Sequence, residues 1–301
     1  MKKKYVIAIL FTAMVFMTSC GQKAVENTGD NTIIESTENK TEAETEEVAN
    51  TEDVEIQNTE YEADAIGEGC FWVQMEEQSE SYKADDGKEI FTNLQNYPKL
   101  SSKEKSEIAE IINADIESMQ TNNKKDAEEQ LKLAKEDYAY RMETATSDTE
   151  EIFLPFPYQI QSTSVVMRND AKIFSFAVDD YAYFGGAHGE GGTTGYNYDA
   201  MTGERLKLDD LAEDASAFKN HIRSYVKEQC EKEVYKERVF EEYETYLDDA
   251  IFAEDSWYFT ENGILISCPP YSLGCYAAGS INFEISYETL KAYGLKEDYS
   301  M

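Results

Sequence analysis

The run KIFSFAVDDYAYF, residues 172–184, alternates regularly enough to define its own geometry. Phe174, Phe176 and Val178 fall on one face of an extended chain, and Ser175, Ala177 and Asp179 on the other. The stretch Tyr158–Arg168 precedes it across the short break Asn169-Asp170-Ala171, so the pair predicts an antiparallel hairpin with one buried face. The same arrangement recurs twice. CFWVQMEEQSESYK and KEIFTNL flank Asp85-Asp86-Gly87, and SWYFT and ILISC flank Glu261-Asn262-Gly263, where Asn-Gly is a strong hairpin cue. A strand over Thr194–Tyr198, closed by the turn DAMTGE, and a last strand INFEISY complete the extended segments. Helical periodicity comes in separate blocks. Ser101 with Glu104 forms a capping box ahead of the stripe Ile108, Ile111, Ile112, Ile116 and Met119. Ala127, Leu131, Ala134 and Tyr138 predict a second, weaker helix, and Pro155 and Pro157 end that region. Asp209 caps a short helix, and Phe218, Ile222, Tyr225, Val226 and Cys230 stripe a long one, turning Cys230 toward the core. Phe240, Tyr243, Leu247, Ala250 and Ile251 mark another. Strands in hairpins and helices in blocks predict an α+β fold, with antiparallel sheets and amphipathic helices packed on them.

None of this begins before residue 63. Lys2, Lys3 and Lys4 lead into an apolar run, Tyr5–Met17, which is shorter than the ~20 residues that span a bilayer. It ends at Met17-Thr18-Ser19-Cys20, which resembles the lipobox of bacterial lipoproteins. The resemblance implies cleavage before Cys20 and acylation of its sulfur, and several acyl chains on one residue make a durable anchor. Residues 21–62 hold 13 acidic residues against two lysines and no large apolar run, a composition that stays unfolded. Such a coil reaches about 35 Å and is expected to act as a tether. The folded part divides into two expected regions, 63–185 and 186–301.

The chain carries a net charge of −34, of which residues 63–301 contribute −26. Nucleic acid and anionic lipid are therefore poor partners, whereas a cationic ligand is attracted. Four cysteines follow Cys20. In an exported chain an even number permits two disulfides, with Cys268–Cys275 the natural local pair across PPYSLG and Cys70–Cys230 the remainder.

The glycine cluster YFGGAHGEGG, residues 183–192, holds one of the two histidines. Its spacing is wrong for a dinucleotide or phosphate loop. His221 lies on a helix surface, so at most Glu190 or a distant acid joins His188 as a metal ligand, and no serine elbow accompanies it. No cofactor is expected. What remains is a bend between paired strands, or a loop that touches a ligand.

The segment FGGAHGEGGTTGYNYDAMTGERLKLDDL, with the ending YSLGCYAAGSINFEISYETL, resembles a bacterial extracellular domain of unknown function found in RsiV-type anti-sigma factors. NYPKLSSKEKSEIAEIINADI and PFPYQIQSTSVVMRNDAKIFSFAVDDYAYFGG resemble the PdaC-type domain that precedes it. The resemblance spans about residues 65–295 and implies a mixed α/β fold. Because the RsiV type binds lysozyme through its extracellular region, it also implies a surface binding module. The chain shows neither sigma-binding helices nor a deacetylase catalytic domain, so neither activity is expected. The candidate contact residues are Tyr181, Tyr183, His188, Tyr196, Tyr271 and Tyr276, and the expected ligand is a lysozyme-like cationic protein or a cell-wall glycan. The alternatives are a cell-wall hydrolase and a purely structural lipoprotein. Asp179 and Asp180 are too close in sequence to flank a glycosidic bond, because strand neighbours face opposite ways.

Overall fold

The computed structural model describes residues 60–61, 71–144 and 157–301, which fall within one compact unit. Cys20, the tether and Cys70 lie outside them. Six strands form one sheet in sequence order: β1 (Glu60–Tyr61), β2 (Trp72–Lys83), β3 (Glu89–Ser101), β4 (Tyr158–Asn169), β5 (Ile173–Tyr183) and β6 (Glu190–Asp199). The β4–β5 hairpin expected from the alternation is present, with Phe174, Phe176 and Val178 buried together on one face. The expected boundary at 185/186 falls between β5 and β6, which are paired from Ile173↔Asp199 to Ala182↔Glu190.

One pairing departs from the antiparallel expectation: β3 and β4 run parallel, from Phe91↔Tyr158 to Gln95↔Ser162. Parallel neighbours need a long crossover, and α1 (Ser106–Thr144) supplies it. The two helices expected here are one helix of 39 residues. No glycine or proline interrupts it, and its second half is rich in Ala, Leu, Lys and Glu, which propagate a helix already begun. The capping box also shifts. Ser101 closes β3, and the Ser102 hydroxyl instead accepts the N–H groups of Glu104 and Lys105 at 3.3 and 3.0 Å, just ahead of the first helical residue. Asn113 joins helix to sheet, its side-chain amide meeting both the N–H and the C=O of Leu100 at 2.8 Å. At the far end Tyr138 donates to Asp86 in the β2–β3 turn at 2.6 Å. Ile112 and Ile116 pack with Phe71, Phe174, Phe176 and Tyr198 between helix and sheet, each fully buried apolar side chain contributing about 1.5–3 kcal/mol. Ile111, placed in the same stripe by the sequence, is about half exposed.

A second, three-stranded antiparallel sheet, β7 (Trp257–Phe259), β8 (Gly263–Cys268) and β9 (Ile281–Ser286), carries its own core with α2 (Ala215–Cys230) and α4 (Leu247–Ile251). Two short helices, α3 (Glu233–Lys236) and α5 (Tyr287–Ala292), complete this part. Asp214 caps α2 through the N–H of Ala217, and Cys230 faces the core as expected. The single helix predicted over residues 240–251 is broken into a 3₁₀ turn, Tyr243–Thr245, and α4. Phe240 there donates its N–H to Leu273 O instead of to a helical neighbour.

The sheets meet face to edge. β7 is an edge strand, and the face of the large sheet satisfies its outward backbone groups. Asn197 donates to Trp257 O and accepts from Phe259 N, both at 3.0 Å, and Ser175 donates to Phe259 O at 3.3 Å. The approach requires glycine at 195, where a Cβ would lie 2.0 Å from Trp257 O.

Of the two expected cysteine pairs, Cys70–Cys230 involves a residue outside those described, and Cys268–Cys275 is not formed. Cys230, Cys268 and Cys275 are free thiols. Strand alternation turns Cys268 inward with Ile264 and Ile266, while Cys275 sits on the surface before a 3₁₀ turn, so the loop bridge is not formed. Burial pushes the Cys230 thiol up to about 11 and that of Cys268 up to about 12.

Candidate functional site

The loop between β5 and β6 and the loop between β8 and β9 come together over the end of the large sheet. Gly185 and Gly186, at φ +86° and +106°, turn the first loop. A Cβ at Gly189 would lie 2.4 Å from the Tyr181 ring, so its absence lets that ring rest on the loop backbone. Beside it the His188 ring stacks on Tyr276, with centroids 3.8 Å apart and planes 19° from parallel. The Tyr271 ring completes the group, 5.9 Å from Tyr276 and 6.4 Å from His188.

Hydrogen bonding orients the imidazole. Nδ1 lies 2.9 Å from Gly189 O, a carbonyl that can only accept, so Nδ1 carries the proton of the neutral ring. Nε2 is left as an acceptor for the Tyr271 hydroxyl, 3.4 Å away. Tyr271 reaches this position at a cost. It occupies the third place of a turn closed by Ser272 N to Pro269 O at 3.1 Å, with φ +71°. Glycine or asparagine is the usual residue there, and a tyrosine costs on the order of 1 kcal/mol. It is the single non-glycine residue with positive φ among the described residues, and its side chain is 55% exposed.

Tyr181 and Tyr276 line an open cleft of about 480 Å³ with Asp179, Asp180, Gly192, Pro270 and Ser280 among others, and His188 and Tyr271 lie beside it through their contacts with Tyr276. Asp179 is exposed on the cleft side and accepts a bond from Thr193 at 3.3 Å. Asp180 points to the opposite face, toward α1, and accepts the Ser162 hydroxyl at 2.6 Å. Burial raises its pKa, against the hydroxyls of Ser162 and Thr194, and the nearby Asp179 charge adds to the rise. The acidic doublet is therefore split across the sheet.

Four of the six candidate tyrosine and histidine positions gather here: Tyr181, His188, Tyr271 and Tyr276. Tyr183 stays with the loop, its hydroxyl donating to Gly186 O at 3.1 Å. Tyr196 does not join them. It lies on the α1 side, stacked on Phe176 at 4.9 Å beneath the Arg205 guanidinium, and burial raises its phenol. Its parity with Tyr198, which the alternation places on that same face, is the signal that separates it from the cleft. Pro270 and Ser280 had no such signal, because their place depends on a fold contact between distant loops. His221 stacks on Tyr293 on the surface of α2, 4.8 Å between centroids. Among the described residues no group of three or more His, Cys, Asp or Glu is placed to hold a metal ion.

Known proteins are similar to parts of this chain. Residues 85–190 match the family model described as Deacetylase PdaC, and residues 209–288 the model described as Protein of unknown function (DUF3298). A crystal structure of a DUF3298 family member from Bacteroides fragilis matches with a TM-score of 0.54 at 18% identity, over 76% of this chain and 95% of that one. A DUF3298 family protein from Pseudomonas aeruginosa gives 0.44 at 16% identity, over 75% of this chain and 95% of its own. Among curated proteins none matches the chain. The first structure supports the fold, and the two family models match successive stretches of the chain, with strand β6 lying largely between the two matches.

Proposed function

We propose that this chain is a non-catalytic binding module, held at the extracytoplasmic face of a bacterial membrane by a lipid on Cys20, whose recognition site is the Tyr181–His188–Tyr271–Tyr276 cleft and whose ligand is a cell-wall glycan. The observation that carries the reading is the strained, exposed Tyr271 set beside the stacked His188–Tyr276 pair. Backbone strain persists where the surroundings impose it and clusters at ligand-contacting positions. Aromatic faces beside an exposed carboxylate suit a sugar, whose C–H face stacks while its hydroxyls donate to Asp179. A glycosidase would need two carboxyl groups across one cleft, and Asp180 faces away from Asp179. The test is sedimentation of the full-length chain with purified peptidoglycan sacculi. Tyr276→Ala and Tyr271→Ala are expected to weaken it about tenfold, and retention no greater than that of an unrelated acidic protein would overturn the reading.

The −26 charge of residues 63–301 favours a second reading, in which a lysozyme-like cationic protein is the ligand. Binding to lysozyme that survives 0.5 M salt and competes with sacculi would establish it; loss of that binding with salt alone would reduce it to nonspecific attraction. Metabolic labelling with a fatty-acid analogue, lost in Cys20→Ser, tests the anchor.

A further inference from the structure

The cleft is one end of a longer surface. The large sheet carries α1 on one face. On the other, β7 lies against Ser175 and Asn197, while the stretch of β3, β4 and β5 nearer the cleft stays open. Cross-strand partners share a face, and the register defines what that face displays. Leu94 pairs with Gln161, Gln161 with Tyr181, and Tyr181 with Gly191 at the cleft wall. Gln159 and Thr163 flank Gln161 on the same side of β4, opposite Tyr183 and Asp179. Leu94 and Tyr181 are 39% and 38% exposed, and Gln159, Gln161 and Thr163 are half-buried.

The chemistry of this face differs from that of the chain around it. In a folded part of charge −26, the open positions of β3, β4 and β5 offer mainly amides, hydroxyls and apolar side chains, with carboxylates only at Asp179 and, at the start of β3, at Glu89, which is held by the Ser81 hydroxyl. A surface built for a basic protein would be rich in carboxylates, and a polyanion would be repelled. Amides and hydroxyls both donate and accept, and Leu94 and Tyr181 offer apolar area to the C–H faces of a sugar. Four strands at ~4.8 Å spacing cover about 14 Å, the reach of roughly three sugar units.

We propose that Tyr181, Gln161 and Leu94 extend the cleft into a groove for a linear, uncharged polysaccharide, so that recognition reads chain length as well as a terminal ring. The inference rests on the cleft being the recognition site and adds the class and extent of its ligand. The experiment is titration of the full-length chain with N-acetylglucosamine oligomers of increasing length. Affinity is expected to rise at least tenfold from the dimer to the tetramer and then level off. Leu94→Ala combined with Gln161→Ala, both outside the cleft, is expected to abolish that rise and leave dimer affinity unchanged. Tyr276→Ala is expected to weaken every oligomer. Length-independent binding, or a rise that persists in the double variant, would overturn the groove and leave the cleft reading standing. No binding to any oligomer would overturn both. Lysozyme binding weakened by the double variant while oligomer binding is not would assign the face to a protein and overturn the groove. Unchanged melting temperatures confirm that the variants fold.

Discussion

The β4–β5 hairpin carries an aspartate near each end, and the surroundings treat them oppositely. At the turn, Asp170 accepts Arg168 Nε at 2.6 Å together with the N–H groups of Lys172 and Ile173 at 2.8 and 2.9 Å. Arg168 is itself 4% exposed. It donates to Tyr287 Oη and Tyr299 O and lies between the rings of Phe259 and Tyr287. Nε and Nη1 of Arg168 both have partners, and the C-terminal segment is held down through them. At the other end Asp180 has hydroxyl donors and, among the described residues, no cation, and across the strand Asp179 opens on the cleft. One end is completed by the chain's own groups; the other leaves groups exposed, one of them strained. On the proposed reading, the difference separates a region built for stability from one held ready for a partner.

The largest expected effect tests the completed end. Arg168→Ala leaves Asp170 half-buried with no cation and removes the hydrogen bonds to Tyr287 and Tyr299, so about 3–5 kcal/mol of stability should be lost in a denaturant titration. Glycan affinity at equal folded fraction should not change. A loss under 1 kcal/mol would mean that the turn is held by its backbone alone.

The two aspartates give the next effect, read in pH. For Asp170, burial raises the pKa, but the Arg168 ion pair and the two N–H bonds outweigh it, so the folded value lies below the ordinary one. Its contribution is present above the ordinary carboxylate pKa and is lost as pH falls through the folded value. For Asp180 burial wins and the folded value is raised. Its contribution is complete below the ordinary pKa and is lost as pH rises through the raised value. Asp170→Asn should therefore lower the melting temperature at pH 7, removing charge-assisted bonds worth about 1.5–3 kcal/mol. Asp180→Asn should raise it and flatten the weakly acidic limb of the pH–stability curve. Shifts of the same sign in both variants would erase the contrast.

How far the sequence could reveal this follows from where each signal resides. The faces of β5 were legible because period-two alternation with Phe174, Phe176 and Val178 has one geometric solution. The loops that build the cleft were legible as loops, and Tyr181, His188, Tyr271 and Tyr276 as their aromatic content. Their meeting was not, because 83 residues separate His188 from Tyr271 and nothing local encodes the contact. The parallel β3–β4 pair and the single long α1 escaped for one shared reason. A weak apolar stripe over 127–138 reads as a second helix until the crossover demands one rigid element. Arg168 gave no warning either, since a charged residue in a strand reads as solvent-facing until its partners, 119 and 131 residues away, are known.

The smallest effect bears most directly on the open end. Asparagine tolerates the left-handed conformation that Tyr271 is made to adopt. Tyr271→Asn should therefore keep the turn closed by Ser272 and Pro269, relieve the strain and leave stability unchanged or higher by up to about 1 kcal/mol. The same change removes a ring from the group over the cleft, so glycan affinity should drop about tenfold. Gain or neutrality in stability with loss of binding is what a residue kept for its ligand produces. If the variant instead unfolds more readily by over 1 kcal/mol while affinity holds, then Tyr271 serves to pack His188 and Tyr276. The open end would then be a second completed corner of the fold, and the contrast with Arg168 would disappear.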